Sequence, residues 1–202
     1  MEFTEVLRRR RMVRHFTDEP VEADVVERIL AAGLRAPSAG FSQGYALLLL
    51  ESPEDRARFW ATESEPDVPM TVELAETQAA MRRAQVLVPV LGSKDAYLDR
   101  YARPDKGWVD RDEARWPVPY WYVDAGFMAL LMLLAAVDEG VGAVFFGIPP
   151  SDIPAFRAEF GVPEDYTPIG CVAIGHEDPA VPRRDLRSRR RPAGDVVRRG
   201  GW

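Results

Sequence analysis

Residues 125–137, AGFMALLMLLAAV, contain no charge, in a chain of 202 residues of which 29% are charged. Such a run has to be hidden from water by whatever else the chain folds into, because exposing it forfeits the main driving force of folding. At 13 residues it is shorter than the ~20 a membrane span needs. The apolar pattern extends from Tyr120 to Glu139 almost all round, which predicts a central buried helix rather than a surface one. Everything else must be arranged about it.

The remaining pattern supplies the other elements. Continuous apolar runs of strand length occur at Tyr45–Leu50, Val86–Leu91, Val141–Phe146 and Ile169–Ile174. Pro89 removes one ladder donor from the second of these. Helical spacing covers Phe3–Arg10, Glu22–Arg35, Pro53 to about Thr62, and Thr71–Arg83. Ser151 is the expected N-cap of a helix that runs to Phe160 and is closed by Gly161. Met12–Phe16 alternates and reads as extended. Residues 94–119 read as irregular, with Trp108 and Trp116 among charges and Pro104, Pro117 and Pro119 interspersed. Strands interleaved with helices predict an α/β or α+β protein with a central sheet. No repeat and no long linker divides the chain, so residues 1–202 are expected to form a single domain.

Several classes of chemistry lack their sequence signals. The only cysteine, Cys171, excludes an internal disulfide framework. The opening MEFTEVLRRRR has no apolar core of the signal-peptide kind, so a cytoplasmic location is expected. There is no GxGxxG after a strand, no GxxxxGK[ST] loop and no GxSxG elbow. His15 and His176 are the only histidines and no cysteine cluster flanks them, so no metal site is expected.

The net charge of −6 hides a segregation. Residues 1–16 and 182–202 hold 13 of the 26 basic residues, all of them arginine, against four acids. The body between them is strongly acidic. Three readings fit these basic ends. They are solvated tails; they bind nucleic acid, which an acidic body opposes; or they meet in the fold around one small phosphorylated ligand, for which the planar guanidinium is well shaped.

Four ordered stretches resemble the nitroreductase family of flavin enzymes. Arg10-Arg11-Met12-Val13-Arg14-His15-Phe16 is similar to RRSVRxF, and Ala36-Pro37-Ser38-Ala39-Gly40-Phe41-Ser42-Gln43-Gly44-Tyr45 to APSAGNxQPW. The apolar helix leads to Gly140-Val141-Gly142 and Phe145-Phe146-Gly147-Ile148, then to Phe160-Gly161-Val162-Pro163 and Pro168–His176. Arg189-Arg190-Arg191-Pro192, Val196-Val197 and Trp202 complete the set.

The resemblance implies an α+β fold with a central, mostly antiparallel sheet flanked by helices. It also implies an intertwined homodimer with FMN at the interface. Carried over by position, Arg10 and Arg11 would bind the FMN phosphate, joined by Arg189 and Arg191 from an arginine-rich arm, residues 182–202. Arg14 would sit near flavin N1 and O2, where reduction places negative charge; a salt bridge to Asp18 is its other reading. Pro37 and Ser38 would contact the ring from the partner subunit, with Gln43 nearby, and Ser38 also reads as a turn-capping hydroxyl. Gly147 would let backbone pass close to the ring, and it also reads as a strand-end turn glycine. Residues 60–121 would be the variable region that covers the substrate face, its aromatics either sandwiching an acceptor or packing the core.

The activity so implied is hydride transfer from NAD(P)H through flavin N5 to an electron-poor acceptor such as a nitroaromatic or quinone, without a named acid–base residue. The same resemblance covers oxygen-dependent flavin fragmentation, reductive dehalogenation and desaturation. A non-catalytic flavin-binding protein is a further alternative. Two departures stand out: Met12 replaces the family's serine, and Phe41 its asparagine.

Overall fold

The computed structural model describes residues 1–65, 69–183 and 187–202. In chain order the elements are α1 (Phe3–Arg9), α2 (Ala23–Gly33), β1 (Tyr45–Leu47), α3 (Pro53–Ala61), α4 (Val72–Met81), β2 (Val86–Gly92), α5 (Lys94–Tyr101), α6 (Tyr120–Asp138), β3 (Gly142–Phe146), α7 (Ile153–Phe160), β4 (Thr167–Gly175) and the short α8 (Ala193–Val196). The four strands form one sheet in the order β1-β2-β4-β3, with every neighbouring pair antiparallel. The fold is α+β.

Period-2 alternation along β2 and β4 divides the interior into two layers. Val86, Val88, Val90, Val172 and Ile174 face one side, where they meet Val26 and Ile29 of α2 and the inner face of α6. Leu87, Leu91, Cys171 and Ala173 face the other, against Phe59 and Trp60 of α3 and Phe156 of α7. Both faces of β2 and β4 are therefore dry, which is why these strands read as continuous apolar runs.

Pro89 shapes the sheet edge. Leu48 donates its N–H to Pro89 O at 3.0 Å, but Pro89 has no N–H to return. The first strand, expected over Tyr45–Leu50, accordingly stops at Leu47 and pairs again only at an isolated bridge between Leu50 and Leu87. The ladder fails where its donor is missing.

Three expectations need correction. Residues 94–119 are not irregular throughout, since α5 occupies their start. Ser93 caps it by accepting from Ala96 N at 3.3 Å. Asp152, not Ser151, stands at the N-cap of α7, and its side chain does not cap its own helix. Finally, α6 is buried on one face only. Tyr122, Val123, Phe127 and Leu130 are 37–45% exposed. By length and composition alone α6 could also cross a membrane, yet its inner face (Met128, Ala129, Met132, Leu133) is core.

Candidate functional site

Residues 10–17 leave α1 extended and run beside the end of the sheet. Val13 N donates to Ala143 O at 3.0 Å, Thr17 N to His176 O at 2.9 Å, and Asp178 N to His15 O at 3.0 Å. Phe16 bridges Glu177 and is fully buried. This pairing brings the N-terminal arginine motif to the point where the chain leaves β4 for the arginine arm. Arg11 forms an ion pair with Glu177, and Arg183 reaches the same carboxylate at 3.4 Å. Partial burial, and then the neighbouring Arg183, pull the Arg11 pKa below its usual value; arginine remains cationic regardless.

The other arginines named from the sequence are placed differently. Arg10 is half-buried at the end of α1 and Arg14 is exposed. Neither has a polar partner among the described residues. Asp18, the alternative partner for Arg14, is instead held by both arms of Arg83 at 2.7 and 3.1 Å. Arg189 and Arg191 are exposed on the arm, and Arg191 donates to Asp195 O at 2.8 Å. Among the described residues no contact joins them to Arg10 or Arg11. Within the chain the roots of the two basic segments meet, and the outer part of the arm stands apart.

Pro37, Ser38 and Gln43 lie on one tight loop before β1. Ser38 Oγ accepts from Gln43 N at 3.0 Å and so closes the turn, while its own hydroxyl proton has no acceptor among the described residues. Three residues take left-handed backbone: Gly40 at φ 60°, Phe41 at 54° and Gln43 at 50°. A non-glycine residue there costs ~1–2 kcal/mol, so the surroundings must impose it. They do so from α5 and α6. Ala39 N donates to Asp124 Oδ2 at 2.7 Å, Tyr97 OH donates to the same oxygen at 2.8 Å, and Arg100 Nε donates to Gly40 O at 2.9 Å. Phe41 is left 74% exposed. Tyr97 is one of the middle-region aromatics expected either to sandwich an acceptor or to pack the core; Asp124 and Arg100 match no motif in the sequence. The available signal was one acid inside an otherwise uncharged helix.

Gly147 follows β3 and is exposed, outside the left-handed region, with nothing within 4 Å of the position of an added Cβ. Neither backbone geometry nor packing within the chain requires a glycine here. Close by, Asp152 is 3% exposed. It accepts from Ser64 N, Ser64 Oγ and Ser151 Oγ at 3.1, 2.5 and 3.1 Å. Burial raises the Asp152 pKa, but those donors outweigh it and leave the group below its usual range. Glu63, which shares the small hollow beside Gly147, is pushed up by burial against the opposing pull of Arg82.

The middle-region aromatics divide. Tyr97, Tyr101, Trp108, Trp116 and Trp121 pack ring on ring, centroids 4.5–6.2 Å apart. Trp116 and Trp121 also line an open cleft of about 890 Å³. Trp60 lies on the other side of the sheet, stacked on Phe146.

This fold, with the RRMVRHF and APSAGFSQG segments placed as described, belongs to a known class. The model of the Nitroreductase family matches residues 7–176, and the chain belongs to that family. An NADPH-dependent oxidoreductase of Staphylococcus epidermidis is 24% identical over 175 residues, covering 85% of this chain. The chain spans only 63% of that relative's length. Among solved structures, a nitroreductase family protein of Clostridium difficile superposes with a TM-score of 0.74 at 21% identity, covering 100% of both chains. A Desulfovibrio desulfuricans protein solved in complex with FMN gives 0.68 at 22% identity, covering 100% of this chain and 98% of that one.

Proposed function

We propose that the protein is an FMN-dependent oxidoreductase that takes hydride from NAD(P)H and passes it to an electron-poor acceptor such as a nitroaromatic or quinone, as a cytoplasmic homodimer. One observation carries the reading. The pairing of residues 13–17 with the end of β4 gathers Arg10, Arg11 and Arg14 at the root of the arginine arm, with Arg10 and Arg14 lacking partners among the described residues. Arg10, half-buried and without a counterion among those residues, is a site for an anion, with the exposed Arg14 on the same segment; Arg11 is already matched by Glu177.

The residues present fit FMN. Arg10 and Arg11 would hold the phosphate, and Arg14 would place its positive charge near N1 and O2. Pro37, Ser38 and Gln43 would contact the ring, with the unaccepted Ser38 hydroxyl proton available to it. Gly147 would leave the room that a side chain would fill. Bound flavin supplies reversible hydride chemistry at N5, and the protein supplies position and electrostatics. The outer face of α6, with Phe3, Leu7, Val196, Val197 and Trp202, is exposed apolar surface suited to a second copy, and Arg189 and Arg191 would reach the phosphate at that seam.

The visible spectrum of the purified protein tests this. Oxidised-flavin bands that bleach on adding NADPH or NADH and return with a nitro or quinone acceptor are expected. Protein that stays colourless after incubation with FMN overturns the reading.

A further inference from the structure

Asp124 sits where an ionisable group is costly. It is 3% exposed, in a helix with no other charge between Tyr120 and Val137. Among the described residues no cation pairs with it. A buried carboxylate without a cation is retained only where several hydrogen bonds offset its lost hydration. Here the two donors named above, Ala39 N and Tyr97 OH, both converge on Oδ2. Burial, and then the adjacent Asp124, push the Tyr97 pKa up and keep its hydroxyl a donor.

What these bonds grip is specific. Ala39 lies between Ser38 and the left-handed residues Gly40 and Phe41, 85 positions away in the chain. Arg100, from the same helix as Tyr97, pins Gly40 O, and both of its terminal nitrogens bond Asp105, at 2.9 and 2.7 Å. The grip falls on the part of the loop that would otherwise relax out of the left-handed region, carrying Ser38 and Gln43 with it.

We propose that Asp124 is the positioning residue of the flavin-ring loop, fixing Ser38 and Gln43 for the cofactor by accepting Ala39 N–H and Tyr97 O–H on one oxygen. The proposal rests on the reading that residues 37–43 face the flavin. It separates presenting the loop, which Asp124 does, from touching the ring, which it does not.

The test compares wild-type holoprotein with Asp124→Ala and Asp124→Asn. It measures FMN affinity by flavin fluorescence, the split of kcat against KM for NADPH, and amide hydrogen exchange at Ala39. Asp124→Ala should weaken FMN binding roughly tenfold or more and speed Ala39 exchange by a similar factor, since it strands two donors. Asp124→Asn keeps an oxygen able to accept both, and should stay within about threefold of wild type. A lower Tm in Asp124→Ala with unchanged FMN affinity and unchanged Ala39 exchange overturns the proposal. Should Asp124→Ala not fold, the wild type decides. The Ala39 amide should exchange at least about tenfold more slowly than that of neighbouring Gly40, and equal rates overturn it. A wild type that binds no FMN sinks the functional reading instead, while the exchange comparison still reports on the anchor.

Discussion

Gly40 and Gly147 flank the proposed ring site for opposite reasons. Gly40 is left-handed, and a Cβ on it would lie 2.6 Å from the Tyr101 ring. Gly40→Ala should therefore lose about 2–4 kcal/mol of stability, the left-handed penalty plus overpacking. Gly147 is open on its Cβ side. Gly147→Ala should leave apoprotein stability within ~0.5 kcal/mol yet weaken FMN binding, because on the proposed function the cofactor would take that space. Urea unfolding of both apo variants, with FMN titrations alongside, separates the two effects; a Gly147→Ala protein binding FMN like wild type would remove Gly147 from the site. At this scale the sequence is legible where a residue breaks geometry, as at Gly161, which closes α7 at φ 63°. It was silent on partners. Asp18 is four residues from Arg14 yet bonds Arg83, because the turn after Phe16 carries Asp18 beside the end of α4. Asp124 is one acid among many until the fold shows what it holds.

Between elements, Asp152 joins α7 to the end of α3 through Ser64. Its folded pKa lies below the usual carboxylate value, so its contribution is complete above about pH 4 and is lost as pH falls through the folded pKa. Asp152→Asn should therefore be less stable than wild type by about 1–3 kcal/mol at neutral pH, with the gap closing in acid. Glu63 acts in the opposite sense. Its raised pKa means that folding is disfavoured by its ionisation as pH climbs past about 4.3, so Glu63→Gln should flatten that slope. Chemical denaturation of the three proteins from pH 3 to 7 checks both signs, and parallel curves would show that neither shift exists. The elements most legible in advance were those specified by long apolar patterns: α2, β2, β4 and α6. By contrast, α5 is eight residues long and buries only Tyr97 and Leu98. Its signals are terminal, Ser93 as cap, Asp95 in the first turn and Arg100 in the last, which periodicity does not register. Likewise β1 is shorter than its apolar run, because the cause of its break, Pro89, lies on the neighbouring strand.

For the whole molecule, the bridge from Phe16 to Glu177 brings the roots of the two arginine-rich ends together, Arg11 and Arg183 on one carboxylate, while Arg189 and Arg191 stand apart. What the sequence could not convey was which side of α6 is inside. Its apolar residues surround the helix, so no stripe distinguishes the core face from the other, and only the packing of Met128, Ala129, Met132 and Leu133 identifies it. The opposite face then becomes informative. Tyr122, Val123, Phe127 and Leu130 are too apolar to be left to water without cost, at ~25 cal/mol per Å², and a stable pair needs about 800 Å² on each partner. Phe127→Glu with Leu130→Glu places two charges on that face without touching the inner one. On the proposed homodimer, the variant should keep its secondary structure, fall to half the wild-type mass by light scattering at micromolar concentration, and lose FMN affinity in parallel, because Pro37, Ser38 and the arginine arm would no longer reach the proposed phosphate site of a second copy. A double variant that remains a dimer would show that α6 is not the seam, and a monomer that binds FMN as tightly as wild type would show that each protomer builds its flavin site alone.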